Sequence, residues 1–118
     1  MSAGKITKRL REVASARSGD KGSHANIGVV AKEAFGIPDT LWFNELRRRL
    51  TSVRVQEHFK HLGVIRVERY ELPNVLALNF VLYDVFDGGA SRSLRIDTQG
   101  KLLATSLLDM TLVFESPI

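Results

Sequence analysis

The chain has 118 residues, no cysteine and a formal net charge of +4. That length holds one domain, residues 1–118, with no second core, and the missing cysteines exclude a disulfide framework, a thiolate zinc site and a thiol nucleophile. Hydrophobic residues at 44% and charged residues at 25% are the balance of a globular domain rather than a disordered chain.

Lys8 to Arg17 reads as a strand in which Leu10, Ala14 and Ala16 share a face, although Val13 falls on the other. Ser18-Gly19-Asp20-Lys21-Gly22-Ser23 is a dense turn signal. Ala25 to Ala31 is rich in β-branched residues and predicts a second strand, paired with the first. Gly36-Ile37-Pro38 breaks the chain. Asp39 or Thr40 then offers an N-cap, and residues 39–62 predict one helix, or two short helices meeting at a corner with Thr51 or Ser52 as the second cap. Val64 to Leu72 alternates apolar and polar residues, as a strand with one wet face does.

Val75 to Phe86 is open to two readings. Val and Phe favour a strand, but Val75, Leu78, Leu82 and Val85 fall at helical spacing, and the helix is preferred. Ser91 to Asp97 and Leu102 to Val113 predict a closing hairpin joined by Thr98 to Lys101. The order β-β-α-β-α-β-β predicts an α+β, ferredoxin-like sandwich, a mostly antiparallel sheet with helices on one face.

Lys5 to Arg11 and Arg47 to Lys60 hold most of the basic charge. In the second cluster Glu45 lies three and four residues before Arg48 and Arg49, the spacing of intrahelical ion pairs on a solvated face. No RNP aromatics and no zinc-finger spacing accompany it, which argues against nucleic acid as a partner. The N-terminus has no apolar signal segment. The longest apolar run is broken by Asn79 and Asp84, so no membrane is expected and a cytoplasmic setting is.

Ser18-Gly19-Asp20-Lys21-Gly22 has the composition of an anion cradle, with glycines that expose backbone N–H groups and a lysine that adds charge. The G-x-x-x-x-G-K-[ST] spacing is absent, and the same residues suit a plain tight turn. Asp20, Lys21 and His24 offer acid–base groups without a placed partner, and His24 reads as an exposed loop residue. His58 and His61 stand three apart without a supporting carboxylate, so no metal is expected. Asn26 and Asn79 interrupt apolar runs; each either ties the fold together or faces a ligand. Arg69 and Arg92 flank strands within reach of an acidic ligand or partner, and Ser91 and Ser93 lack a nucleophile elbow.

Four blocks together resemble a known family. They are Ala16 to Gly22 with Ala25-Asn26-Ile27-Gly28, Val67 to Asn74, Ala77 to Leu82, and Ser91 to Arg95 with Gln99-Gly100-Lys101. The chain is similar to the ferredoxin-fold domain of AtuA-like (acyclic terpene utilisation) proteins in its small stand-alone form. The blocks reach from Leu10 to Met110, and Ala31 to Thr40 departs from the pattern as a variable insertion. The resemblance implies a bacterial cytoplasmic protein linked to acyl-CoA or terpenoid breakdown, with no defined reaction. It brings no cofactor and no catalytic residue.

Two functions are carried forward. One is a non-catalytic assembly or accessory subunit, a homo-oligomer or the companion of a larger AtuA-like protein. The other is a site for an anionic metabolite such as a CoA thioester, built at a subunit interface from Ser18, Gly19, Asp20, Lys21, Gly22, Asn26, Asn79 and Arg92.

Overall fold

The computed structural model describes residues 4–21, 24–62, 64, 66–83 and 99–115. Strands β1 (Lys5–Arg9) and β2 (Ala14–Lys21) are separated by a single turn, Leu10–Glu12. The strand expected over Lys8 to Arg17 is therefore two. The Glu12 carboxylate accepts the Arg9 backbone N–H at 2.8 Å, and Leu10 donates its N–H to the Met110 carbonyl at 2.8 Å, which turns the chain. Val13, out of phase with Ala14, was the trace of this break: both are buried.

β2 runs on through Lys21, which pairs with His24 of β3 (His24–Ala31). Residues 18–21 are thus strand and not turn, and His24 is a strand residue rather than a loop residue. Cross-strand pairing overrides the turn propensity of Gly19 and Asp20. A Cβ on Gly19 would lie 3.0 Å from Asn26 Oδ1, so the glycine leaves room for that amide.

A two-residue hairpin follows. Ala34 and Ile37 exchange both backbone hydrogen bonds, and Phe35 (φ 56°) and Gly36 (φ 73°) take the left-handed conformations a type I′ turn needs. This turn fills the expected insertion. Helices α1 (Asp39–Arg49) and α2 (Ser52–Phe59) then meet at a corner, as the second reading of residues 39–62 expected. Thr51 caps α2 by accepting the Arg54 N–H at 3.2 Å. The residue before α1 is Pro38, without a side-chain cap, so neither Asp39 nor Thr40 caps it.

Strand β4 (Arg66–Leu72) ends at a turn over Pro73–Val75, and β5 (Ala77–Tyr83) follows. The helix preferred for Val75 to Phe86 is overturned. Leu78, Phe80 and Leu82 are buried at period two, and β5 lies between β3 and β4 with every residue paired on one or both sides. The Leu78–Leu82 interval fits both periods, and the buried Phe80 decides between them. Residues 84–86, the expected strand Ser91 to Asp97 and its partner in the joining turn, Thr98, lie outside the described residues. Leu102 to Val113 is also corrected: helix α3 (Gln99–Leu108) precedes strand β6 (Thr111–Glu115). Leu103 and Leu107 are buried one helical turn apart, and Leu112 and Phe114 are buried at strand spacing.

The main sheet has the order β2-β3-β5-β4, antiparallel throughout, and β1 pairs with β6 in a separate antiparallel ribbon. β3 and β4 are mutually parallel, joined through α1 and α2, with β5 between them. That is a split βαβ unit, so the α+β ferredoxin-like class stands while the element order of the described residues becomes β-β-β-α-α-β-β-α-β. α1 packs on β3, α2 on β4 and α3 on β2. Ile27, Val29, Leu78, Phe80 and Leu82 of the sheet meet Trp42, Leu46, Val55, Phe59 and Leu107 of the helices in one core.

Candidate functional site

Strand alternation gives the main sheet two faces, and the helices take one of them. Ala25, Ile27, Val29 and Ala31 of β3 are buried under the helices, whereas His24, Asn26, Gly28 and Val30 point the other way and retain exposure. No helix packs on that second face among the described residues. Pairing register arranges it in rows across β2, β3, β5 and β4. One row is Ser15, Val30, Ala77 and Leu72; the next is Arg17, Gly28, Asn79 and Tyr70; the third is Gly19, Asn26, Val81 and Glu68.

Exposed apolar side chains gather at the end of the face that holds the first row, where Val30 and Leu72 flank the buried Ala77. Val30 is 41% exposed, Leu72 46%, Tyr70 49% and Val75, on the adjoining turn, 60%. These are four of the seven large exposed hydrophobics among the described residues, so the apolar exposure gathers on one face. Val30, Leu72 and Val75 border a shallow groove of about 320 Å³ that Gly28 and Ala77 also line, and Arg17 stands at its side.

The opposite edge carries a braced anion. Tyr70 Oη and Tyr83 Oη both donate to Glu68 Oε1, at 2.7 and 2.9 Å. These bonds, the one from Tyr70 above all, hold the Glu68 carboxyl below its usual range, so it stays charged. The Arg66 guanidinium lies 4.0 Å over the Tyr83 ring and 3.7 Å from Glu68 Oε2, while His24 sits against the other side of Tyr83 at 5.5 Å. Arg17 meets no carboxylate among the described residues.

Of the residues singled out from sequence, Asn26 and Asn79 come together on this face, with Asn26 Nδ2 donating to Asn79 Oδ1 at 3.2 Å. Gly28, directly opposite Asn79 and two residues along β3 from Asn26, has no side chain to crowd the amide. Gly19 shares the face, next to Asn26. Ser18 pairs with Ile27 and has the opposite, helix-side parity. Asp20 and Lys21 continue β2, paired with Ala25 and His24, and as strand residues their N–H groups alternate in direction instead of converging on one point. Gly22 and Arg92 lie outside the described residues. Sequence reasoning missed Arg17, Val30, Glu68, Tyr70 and Leu72. Their signal was the phase of the alternation: each is out of step with the buried set of its own strand.

Other singled-out residues have structural partners. Arg69 donates to the Arg47 carbonyl at 2.6 Å and the Leu50 carbonyl at 3.1 Å, and also binds Glu71 at 3.1 Å. It ties β4 to the open C-terminal carbonyls of α1. Arg69→Ala is expected to lower stability by about 2 kcal/mol, read as a lower urea midpoint at unchanged slope; an unchanged midpoint would remove this role. The α1 arginines are engaged too, Arg47 with Glu71, Arg48 with Glu45 and Arg49 with Glu115. The intrahelical pairing expected around Glu45 is present. His58 Nε2 lies 3.0 Å from the Ser106 carbonyl and 3.1 Å from its hydroxyl, linking α2 to α3, and burial pushes its pKa down.

A split βαβ sheet covered by helices on one side, and half-apolar on the other with no helix there among the described residues, defines a small ferredoxin-like α+β domain. Residues 8–113 match the family model described as the AtuA ferredoxin-like domain, and the chain belongs to that family. Comparison with curated proteins and with solved structures gave no match. No helix among the described residues is long and apolar enough to cross a membrane.

Proposed function

We propose that this chain is a non-catalytic assembly or accessory subunit that docks through the open face of its four-stranded sheet. What supports the reading is a single observation: Val30, Leu72, Val75 and Tyr70 gather there, exposed, opposite the helix layer. Leaving such a patch in water forgoes the free energy its burial would release, about 25 cal/mol for each Å² covered. The setting proposed with this reading is the cytoplasm, beside the enzymes of acyl-CoA or terpenoid breakdown. The test is mass in solution by light scattering behind size exclusion, with and without a larger AtuA-like protein. Val30→Asp is expected to weaken association about a hundredfold by burying an unpaired charge. A wild-type chain that stays at the 13.2 kDa of one copy and holds no such partner would end the reading.

A second reading has its own observation, the Arg17 cation beside the apolar groove, with Asn26 and Asn79 nearby. An anionic metabolite with an apolar tail, such as a CoA thioester, meets both features. Calorimetry with CoA esters is expected to lose its heat of binding in Arg17→Ala; equal binding by the variant would dismiss this site.

A further inference from the structure

We infer that the occupant of the open sheet face is a second copy of this chain, related by a two-fold axis along the strands, with Arg17 of each copy meeting Glu68 of the other. The inference rests on the assembly reading and adds the partner and its orientation.

Two sheets that pack face to face lie about 10 Å apart with their strands nearly aligned. A closed pair of identical chains needs a two-fold axis. Between stacked sheets that axis runs either along the strands or across them. The order β2-β3-β5-β4 makes the two choices chemically different.

An axis along the strands, between β3 and β5, lays β2 over the partner's β4 and β3 over the partner's β5. Each row then falls on itself reversed. Val30 covers the partner's Ala77, and Leu72 covers the partner's Ser15, so the apolar ends close on each other. Gly28 faces the partner's Asn79, where a missing side chain leaves space for the amide. Arg17 rises over the partner's Tyr70, one pleat from the partner's Glu68. A guanidinium spans that distance and meets both the ring and the carboxylate.

An axis across the strands sets each edge strand on its own copy. Arg17 then approaches Arg17, Glu68 approaches Glu68, and the apolar row falls on the row of His24 and Tyr83. At Arg17 and Glu68 charge therefore selects the first arrangement, even with Lys21 set by register across from the partner's Arg66. It also gives Arg17, which meets no carboxylate among the described residues, an anion that is already in place, since Tyr70 and Tyr83 hold Glu68 before any partner arrives.

The experiment uses two charge-reversed chains with different tags. Arg17→Glu alone opposes like charges at both contacts of the pair, and so does Glu68→Lys alone. Each is expected to weaken self-association at least tenfold while circular dichroism stays that of the wild type. Mixed together, the two variants restore both contacts, one with its wild-type signs and one with the signs exchanged, and a mixed pair is expected at near wild-type affinity. Should Glu68→Lys fail to fold, Glu68→Gln replaces it and is expected to weaken the pair and flatten its salt dependence. A dimer that ignores the reversals, or a mixture that forms no mixed pair, overturns this arrangement and leaves the assembly reading standing. A wild-type monomer overturns this arrangement, and a monomer that also holds no larger AtuA-like protein overturns the assembly reading with it.

Discussion

Trp42→Ala is expected to lower the unfolding free energy by about 4 kcal/mol, the largest single effect in the molecule. Trp42 is fully buried in α1, edge-on to Phe114 of β6 with ring centroids 5.3 Å apart. Removing it opens a cavity between the helix layer and the β1–β6 ribbon. Its indole N–H also donates to the Ala34 carbonyl at 3.0 Å. That bond anchors the hairpin in which Phe35 holds a left-handed backbone at φ 56°, a conformation that costs a non-glycine residue on the order of 1 kcal/mol. Phe35 itself lies between Trp42, at 6.4 Å, and the Lys8 ammonium, 3.8 Å above its ring. The turn therefore loosens with the tryptophan. Trp42→Phe keeps most of the packing and loses the hydrogen bond, with an expected cost of about 1–2 kcal/mol. Chemical denaturation followed by circular dichroism checks both, because the variants remove the chain's one tryptophan. Equal costs for the two would show that packing is not what Trp42 contributes.

Glu45→Ala is expected to cost about 3 kcal/mol. Glu45 is only 6% exposed, the one buried charged residue among those described. Its Oε1 accepts the Glu115 backbone N–H at 3.0 Å and lies 3.7 Å from Arg49 Nε, while Oε2 accepts from Arg48 at 3.2 Å. Without the carboxylate, the β6 N–H is left unpaired and Arg49 loses the anion beside a buried Nε that has no hydrogen-bond partner. Breaking a buried pair costs about 3–5 kcal/mol, and the exposure of Arg48 and Arg49 places this one at the low end. Glu45→Gln retains an acceptor for the Glu115 N–H and is expected to cost roughly half as much. The same denaturation midpoints check it; a glutamine variant as damaged as the alanine variant would mean the charge, and not the acceptor, joins α1 to β6.

Much of this architecture was readable before any coordinates. The hairpin of β2 and β3, the two-part helix over residues 39–62 and strand β4 follow from local pattern and punctuation. The errors came where one residue set satisfies two periods. Val75, Leu78 and Leu82 suit a helix, but β5 is the strand between β3 and β4, and only long-range pairing shows that Phe80 must turn inward. Leu103, Leu107, Leu112 and Phe114 were merged into one strand because the change of period at Asp109–Met110 carries no glycine or proline. The candidate site was legible in part. Asn26 and Asn79 stood out as polar breaks in apolar runs, and they meet. Ser18 to Lys21 stood out by composition, yet a strand partner decides what glycine and aspartate do there. The exposed row through Val30 and Leu72 was hidden, because an outward valine or leucine looks like core until the face is known.

The place of β5 between β3 and β4 also bears on how the chain folds. β2 with β3 and β4 with β5 are hairpins between neighbouring segments and close at little entropic cost. The β3–β5 seam joins His24–Val30 to Ala77–Tyr83 and closes the long loop that holds α1, α2 and β4. Its closure is the step expected to limit the rate, since long loops must be ordered before their contacts reward them. Substitutions along this seam should then act on the folding limb of a chevron plot, and substitutions in the β1–β6 ribbon, which closes last, on the unfolding limb.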